Sequence, residues 1–410
     1  MEISIPSGGH GFLNTTLARF ILLFVFLYAA FGVNSPFFPS FLSARGLEPE
    51  AIAVVLAAGT AIRLVGAPLA GRIADRLNAS RAVLSASIAG AAVLALGYLT
   101  AWGFWPLLLM SSAAAVALAP VAPVADALAL GAAERRASDG RQAFDYGWVR
   151  GAGSAAFIAG SLLSGQAIAH FDLTVIVMLQ AGLFAIATLF ALHVPQEPLP
   201  PPDEYPAAES AHGSSHGIRR LLAIALYRRT VLVAALVFGS HAMHDSFAVI
   251  RWREAGIGPE TISVLWSESV AAEVVVFFVI GRPLLDRIGP ARVAALCAVA
   301  GLLRWVVMAQ SVSVPALALV QPLHGLTFAL LHLACMRLLS HIVPPGLSAT
   351  ALTLYGTLGA GVSSVLLTLV SGPLYGRLGP GGFFVMAALC AVATPLALTL
   401  KSEQKKNSGA

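Results

Sequence analysis

The sequence predicts an all-α polytopic membrane protein with twelve transmembrane helices in two pseudo-symmetric six-helix bundles. Three observations predict it: an apolar composition poor in charge, a ladder of twelve apolar runs, and an internal repeat. Of 410 residues, 58% are hydrophobic and only 11% charged, and the mean hydropathy is +0.82. Soluble domains carry about 25% charged residues, so most of this surface is expected to face lipid. The net charge of +5 does not point to nucleic acid. The basic residues recur as short groups between apolar runs rather than as one patch interleaved with aromatics.

A span needs about 20 mostly apolar residues. Runs between charged or Pro/Gly breaks give 18–41, 50–71, 82–102, 105–130, 145–169 and 174–194 in the first half. The second half gives 230–250, 260–281, 292–311, 314–338, 348–372 and 380–400. The N-terminus lacks a secretory signal pattern, so the first run reads as a retained span. With the N-terminus inside, 18 of the 25 Lys and Arg fall in inner loops and tails, against four outside (Arg45, Arg251, Arg253 and Arg377). That asymmetry puts both termini in the cytoplasm, which in a bacterium means a multi-pass protein of the inner membrane. The division that follows is a bundle at 1–194, a cytoplasmic linker at 195–219, a bundle at 220–400 and a tail at 401–410. The linker is rich in Pro, Ser, His and acids and reads as flexible.

The repeat has a measurable offset. Gly46, Pro49, Glu50 and Ile52 recur 210 residues later as Gly256, Pro259, Glu260 and Ile262, and Gly71 and Arg72 as Gly281 and Arg282. After one inserted residue, Asp75, Arg76 and Arg81 recur as Asp286, Arg287 and Arg292. Parallel six-plus-six repeats of this kind hold a site near the midplane between the halves.

The repeated loop, GRIADRLNASR at Gly71–Arg81 and GRPLLDRIGPAR at Gly281–Arg292, resembles the G-x-x-x-D-R loop of the major facilitator superfamily. The resemblance implies a cytoplasmic gate at Asp75, Arg76, Asp286 and Arg287, in which a carboxylate at a helix end latches arginines of neighbouring helices. The alternative reading is an ordinary basic inner loop. A narrower likeness covers nearly the whole chain. The segments PVAPVADALAL (Pro120–Leu130), FDYGWVRGAGSAAFIAGSLLSG (Phe144–Gly165), LWSESVAAEVVVFF (Leu265–Phe278), GLLRW (Gly301–Trp305) and LHGLTFALLHLACMR (Leu323–Arg337) are similar to the 3-phenylpropionate permease group, related to the lactose permease and nucleoside–proton symporters. The resemblance implies the major facilitator fold and proton-coupled import of a small organic solute, an aromatic carboxylate such as 3-phenylpropionate.

A charge in the hydrocarbon core costs at least about 2.5–3.5 kcal/mol, which makes every intramembrane ionisable residue a functional candidate. Desolvation disfavours an ionised carboxylate and a neighbouring guanidinium favours it, so a carboxylate between the two can load and release a proton. Glu273, Arg304 and His324, on consecutive spans eight, nine and ten, are the expected proton-coupling set, with Glu268 or Asp126 in reserve; a static Glu273–Arg304 ion pair is the competing reading. The lactose permease is similar in placing a carboxylate, an arginine and a histidine on these spans. This chain departs from it in carrying Thr327 where a carboxylate would follow His324 by three residues.

The expected solute-binding residues are Arg63, Tyr146, Arg150, His241, Trp266 and His332. Arg63 and Glu273 differ by the repeat offset of 210, so opposite charges occupy equivalent positions; they either face a shared cavity or each pair within a half. Tyr146 and Arg150 share a helical face at i,i+4. Arg150 either donates to a solute carboxylate or latches Asp126 or Asp145. Trp266 sits seven residues before Glu273, hence on its face, and with Phe31 could receive a ring. His332 lies eight residues after His324, about 80° round the helix, so both are expected to border one cavity. His241, His244 and Asp245 form HAMHD in span seven, which is incomplete as a metal set and reads as contacts to solute or protons. Cys297, Cys335 and Cys390 lie in apolar runs without C-x-x-C spacing and read as packing residues. No cofactor, metal or nucleic acid is expected, and the protein should function as a monomer.

Two other solute readings stand beside the acid. A sugar or nucleoside symporter would use neutral hydrogen-bonding groups, of which the spans offer few, chiefly Asn34, Gln180, Gln310 and Gln321. A non-transporting assembly or sensor protein would leave the intramembrane charges dispensable. An enzyme is not expected, since no nucleophile–base pair or phosphate loop is present.

Overall fold

Long apolar runs without water must satisfy every backbone N–H and C=O internally, and the helix does this within one segment. The computed structural model describes residues 15–76, 78–138, 144–196 and 215–407, all helix or connecting turn, with no strand among them. Eleven helical stretches in it are long and apolar enough to cross a membrane. The last, Ser348–Leu400, has 53 residues, far too many for one bilayer crossing at 1.5 Å per residue. It is broken by a short 3₁₀ turn at Gly379–Gly381, where Gly379 has φ +52°. Two spans result, giving the twelve the sequence predicts.

The spans are Thr16–Asn34, Pro49–Ala74, Ser80–Gly97, Phe104–Glu134, Tyr146–His170 and Val175–His193, then Ala225–Glu254, Pro259–Ile288, Pro290–Gln310 and Val314–Ile342, with the eleventh ending at Leu378 and the twelfth starting at Gly382. Span one starts earlier than expected, at Thr16 with Thr15 as N-cap, and stops at Asn34. Pro36 follows and separates it from a short helix at Phe38–Ala44, which carries Pro39 in its first turn, because proline lacks the N–H that would continue the ladder and is tolerated where a helix begins. Span seven outruns the expectation at both ends. Arg228, Arg229, Arg251 and Arg253 lie inside the helix, since an arginine's long stem can follow apolar surface while its head reaches polar groups.

The repeat is written in the backbone. Gly46 and Gly256, 210 apart, both take a left-handed conformation, with φ +88° and +80°, and helices begin at Pro49 and Pro259. One repeat later, beyond the inserted residue, Asn78 (φ +45°) matches Gly289 (φ +80°). Asn78 is the one non-glycine with positive φ among the described residues, and asparagine is among the few side chains that accept that region.

The chain divides into two compact units, one of Met1–Phe41 with Ile62–Leu199, the other of Leu42–Ala61 with Pro200–Ala410. In the first unit, span one packs on span five through glycines. A Cβ on Gly32 would come within 2.8 Å of the Phe157 carbonyl carbon, and one on Gly160 within 2.9 Å of that of Ala29. Small residues allow the backbone approach that holds helices together where lipid removes the hydrophobic drive. Phe20, Leu23, Phe24, Leu27 and Phe184 fill the surrounding core.

In the second unit the largest wholly buried side chains are Trp252, Trp305, Arg304 and Tyr227. Leu42–Ala61 belongs to this unit: a Cβ on Gly372 would lie 2.7 Å from the Ala53 Cβ and 2.8 Å from the Pro49 carbonyl oxygen. Beside that contact, Phe247 stacks on Tyr375 at 4.6 Å, and Tyr375 donates to Glu254 at 3.2 Å. Helical regularity is interrupted within several spans of this unit, among them span ten at Gln321–Pro322. Span seven breaks at Ser240–His241, and wider π-helical turns occupy Val276–Ile280, Leu326–Leu330 and Tyr355–Val362. Such turns concentrate at functional sites.

Candidate functional site

The irregular turns of the second unit gather a polar cluster inside an apolar core. Its centre is Arg304 on span nine, 0% exposed, with its guanidinium 4.6 Å over the Trp305 ring. One arm reaches His324 Nδ1 at 2.9 Å. The other donates to Gln321 Oε1 at 3.1 Å and meets His244 Nε2 at 3.3 Å. A guanidinium carries donors only, so the ring nitrogens facing it act as acceptors and both histidines are neutral. Their protons then sit on the far nitrogens, each aimed at a carboxylate. His324 Nε2 donates to Glu273 at 2.7 Å, and His244 Nδ1 to Asp245 at 3.0 Å.

Around this relay, Trp266 stacks on His244 at 5.0 Å and 13°. Gln321 donates to the Leu265 carbonyl at 3.3 Å. His241 meets the Thr327 hydroxyl at 2.9 Å through Nε2 and the carbonyls of Val237 and Phe238 through Nδ1. At the break in span seven the His241 N–H turns to the Phe238 carbonyl at 3.1 Å, which leaves the Val237 carbonyl to side chains, His241 and Ser240. Trp305 donates to Ser240 at 2.8 Å, which ties the break to span nine.

Glu273, Arg304 and His324 are thus brought together, with histidine between carboxylate and guanidinium. Trp266 and His241 join them, and so do His244 and Asp245, the other polar residues of HAMHD, together with Gln321 and Thr327. Gln321 lies three residues before His324, one helical turn away, and that spacing was the available signal for it. His332 stands apart from the bonds of this cluster and pairs with the Tyr355 hydroxyl at 3.3 Å. The π-turn between His324 and His332 changes the residues per turn, so the 80° expected from a regular helix does not apply.

The first unit holds a second polar set. Tyr146 donates to Asp126 at 2.7 Å, while Arg150 donates to the hydroxyl of Tyr28 and lies 4.8 Å over its ring. Tyr28 stacks on Phe24 and meets Phe31 edge-on, which places the guanidinium at the rim of an aromatic group. Asp145 caps span five, accepting from Gly147 N at 2.7 Å. Tyr28 was not legible as a partner, because nothing in the chain spacing links it to Arg150, 122 residues away. Tyr28→Phe keeps the ring and removes the acceptor. It is expected to cost about 0.5–1.5 kcal/mol, read as a lower melting temperature of the detergent-purified protein, with Tyr146→Phe affecting Asp126 instead.

Of the expected gate residues, Asp286 accepts from Arg337 on span ten at 3.1 Å, both half exposed. Arg76 and Arg287 lie in the last turns of their helices. The side chain of Asp75 lies outside the described residues, as do His212, the side chain of His216 and most of the 195–219 segment. Arg63 and Glu273 fall in different units. No group of three or more His, Cys, Asp or Glu suited to a metal occurs among the described residues.

The chain is similar to known proteins over nearly its whole length. The family described as "MFS_1 like family" matches residues 17–386. A protein of Escherichia coli (strain K12) described as "Probable 3-phenylpropionic acid transporter" is 31% identical over 383 residues, which are 92% of this chain and 96% of that protein. The maltose permease of Geobacillus stearothermophilus is 22% identical over 391 residues, 95% of each chain. Among solved structures, the nucleoside transporter NupG superposes with a TM-score of 0.76 at 18% identity, over 95% of this chain and 98% of that one, a likeness that concerns the fold alone. These relatives are transporters rather than enzymes, and the family match spans nine-tenths of the sequence. The chain therefore belongs to the MFS_1 like family and is a multi-pass membrane transporter of the major facilitator fold.

Proposed function

We propose that this transporter imports a small aromatic carboxylate, 3-phenylpropionate or a close relative, together with protons by alternating access. The observation that carries the coupling is the 2.7 Å bond from His324 to Glu273, with His324 held in turn by buried Arg304 at 2.9 Å. A carboxylate reached by a neutral histidine has a partner whether charged or protonated, because the N–H donates to either form. It can therefore gain and lose a proton without leaving a buried polar group unmatched.

The substrate class rests on two supports. One is the 31% identical relative described as a 3-phenylpropionic acid transporter. The other is the Arg150–Tyr28 pair among Phe24 and Phe31, which suits a carboxylate joined to a ring. Arg63 is the second cation available to the acid. In the same reading the bundles at 1–194 and 220–400 move about the site, the 195–219 linker joins them in the cytoplasm, and the bond from Arg337 to Asp286 makes and breaks at the inner gate. The protein acts as a monomer in the bacterial inner membrane with both termini inside, as the basic residues between spans suggest.

The test is uptake by the purified full chain in proteoliposomes under an imposed inward proton gradient. Concentrative uptake of 3-phenylpropionate, abolished by a protonophore, is the expected result. Uptake of a sugar or nucleoside in its place would overturn the substrate, and gradient-independent equilibration would overturn the coupling.

A further inference from the structure

The cluster around Arg304 is two-armed, and the proposed coupling uses one arm only. On the second arm, His244 is 3% exposed and wedged between the guanidinium and Asp245, whereas the Asp245 side chain is 58% exposed. A carboxylate that open within a span belongs on an aqueous cavity rather than in lipid. The Glu273 side chain, at 21%, is the more enclosed of the two.

Charge counting then limits the states of the cluster. Arg304 supplies one positive charge, and His324 and His244 are neutral because each accepts from it. His241 is neutral as well when its Nδ1 donates to the Val237 carbonyl and the Thr327 hydroxyl turns its one proton to His241 Nε2 at 2.9 Å rather than to the His324 carbonyl at 3.2 Å. Gln321 carries no charge. Against this single cation stand Glu273 and Asp245. With both ionised the cluster holds an uncompensated negative charge beside buried groups, and with one proton it is neutral. Carboxylates that share one site and one counter-charge titrate as a pair.

We infer that Asp245 is a second proton-carrying carboxylate, the point at which protons enter from water, and that it and Glu273 hold one proton between them under the single charge of Arg304. This rests on the proton-coupled reading and names its missing half. The relay passes charge preference from one carboxylate to the other through Arg304, and each histidine keeps its tautomer throughout. Thr327, which stands where a carboxylate would follow His324, needs no acidic substitute on span ten, because span seven supplies it.

The test does not depend on the solute. Infrared difference spectra of the purified full-length protein across neutral pH report the carbonyl stretch of protonated carboxyls. The native protein should show one carboxyl's worth of intensity that disappears both in Asp245→Asn and in Glu273→Gln, since the remaining carboxylate then keeps the guanidinium to itself. Asp245→Glu should restore it. A band unchanged in Asp245→Asn places the proton on Glu273 regardless of Asp245 and overturns the inference. A band unchanged in Glu273→Gln overturns it equally, and this variant decides the matter should the Asn variant fail to fold. Lack of 3-phenylpropionate uptake by the native protein would count against the substrate and leave this carboxyl count standing.

Discussion

Glu273→Gln is expected to abolish accumulation of solute against its gradient while leaving exchange of solute across the membrane intact. If one proton enters with each solute, a one-unit pH gradient is worth about 1.4 kcal/mol, enough for about tenfold accumulation. An uncoupled carrier reaches only equal concentrations. Glutamine keeps the size of the side chain and still offers an oxygen to the His324 N–H, so the 2.7 Å contact has a neutral replacement and the cluster stays satisfied. What it loses is the ability to carry a proton. The measurement is paired: solute uptake driven by an imposed pH gradient, and counterflow of labelled solute without one. Tenfold accumulation retained in the variant would remove Glu273 from the coupling path, and loss of both activities would assign it to solute binding or folding.

The largest expected effect on stability lies in the first unit, at the crossing of spans one and five. Gly32→Ala and Gly160→Ala each push a methyl group into the backbone of the facing helix, within 2.8 and 2.9 Å of carbonyl carbons. A flexible side chain could rotate away, but a helix backbone must move as a whole, so the spans separate along their length. Each substitution is expected to fall at or beyond the upper end of the roughly 1–3 kcal/mol that overpacking costs. Gly151→Ala is the control. It lies on span five with nothing within 4 Å of the added carbon and should be neutral or slightly stabilising, since alanine is the better helix former. Thermal unfolding in detergent distinguishes the three, and equal melting temperatures would refute the crossing as a point of close packing.

Much of this architecture is readable from the chain because lipid enforces it. Apolar length specifies spans, and the left-handed residues, Gly46 with Gly256 and Asn78 with Gly289, mark the same two turns in both halves. The grouping of Glu273, Arg304 and His324 was legible for a related reason: buried charge on adjacent spans has few places to find a partner. The histidine's place between the other two was not, since consecutive spans give the three residues without their order. His244 and Gln321 entered through local departures from 3.6 residues per turn, at the Ser240–His241 break and before the Leu326–Leu330 turn. Counting angles along an ideal helix cannot follow such departures, nor could it find Tyr355 as the partner of His332. The Arg150–Tyr28 contact escaped because it joins spans five and one, and only the three-dimensional fold relates them.

The assignment of Leu42–Ala61 to the second unit bears on how the molecule is made. Synthesis delivers this stretch long before Gly372 and Gly376, the residues against which Pro49, Glu50 and Ala53 come to rest. Until span eleven has been threaded into the bilayer, the groove that receives Pro49 and Ala53 does not exist, and the segment must wait in lipid as a provisional guest. Maturation of the second unit therefore has two inputs separated by more than three hundred residues of translation. A C-terminal fragment produced alone would leave the seat of Gly372 bare, and supplying the N-terminal fragment in the same cell should fill it and lengthen the survival of both pieces.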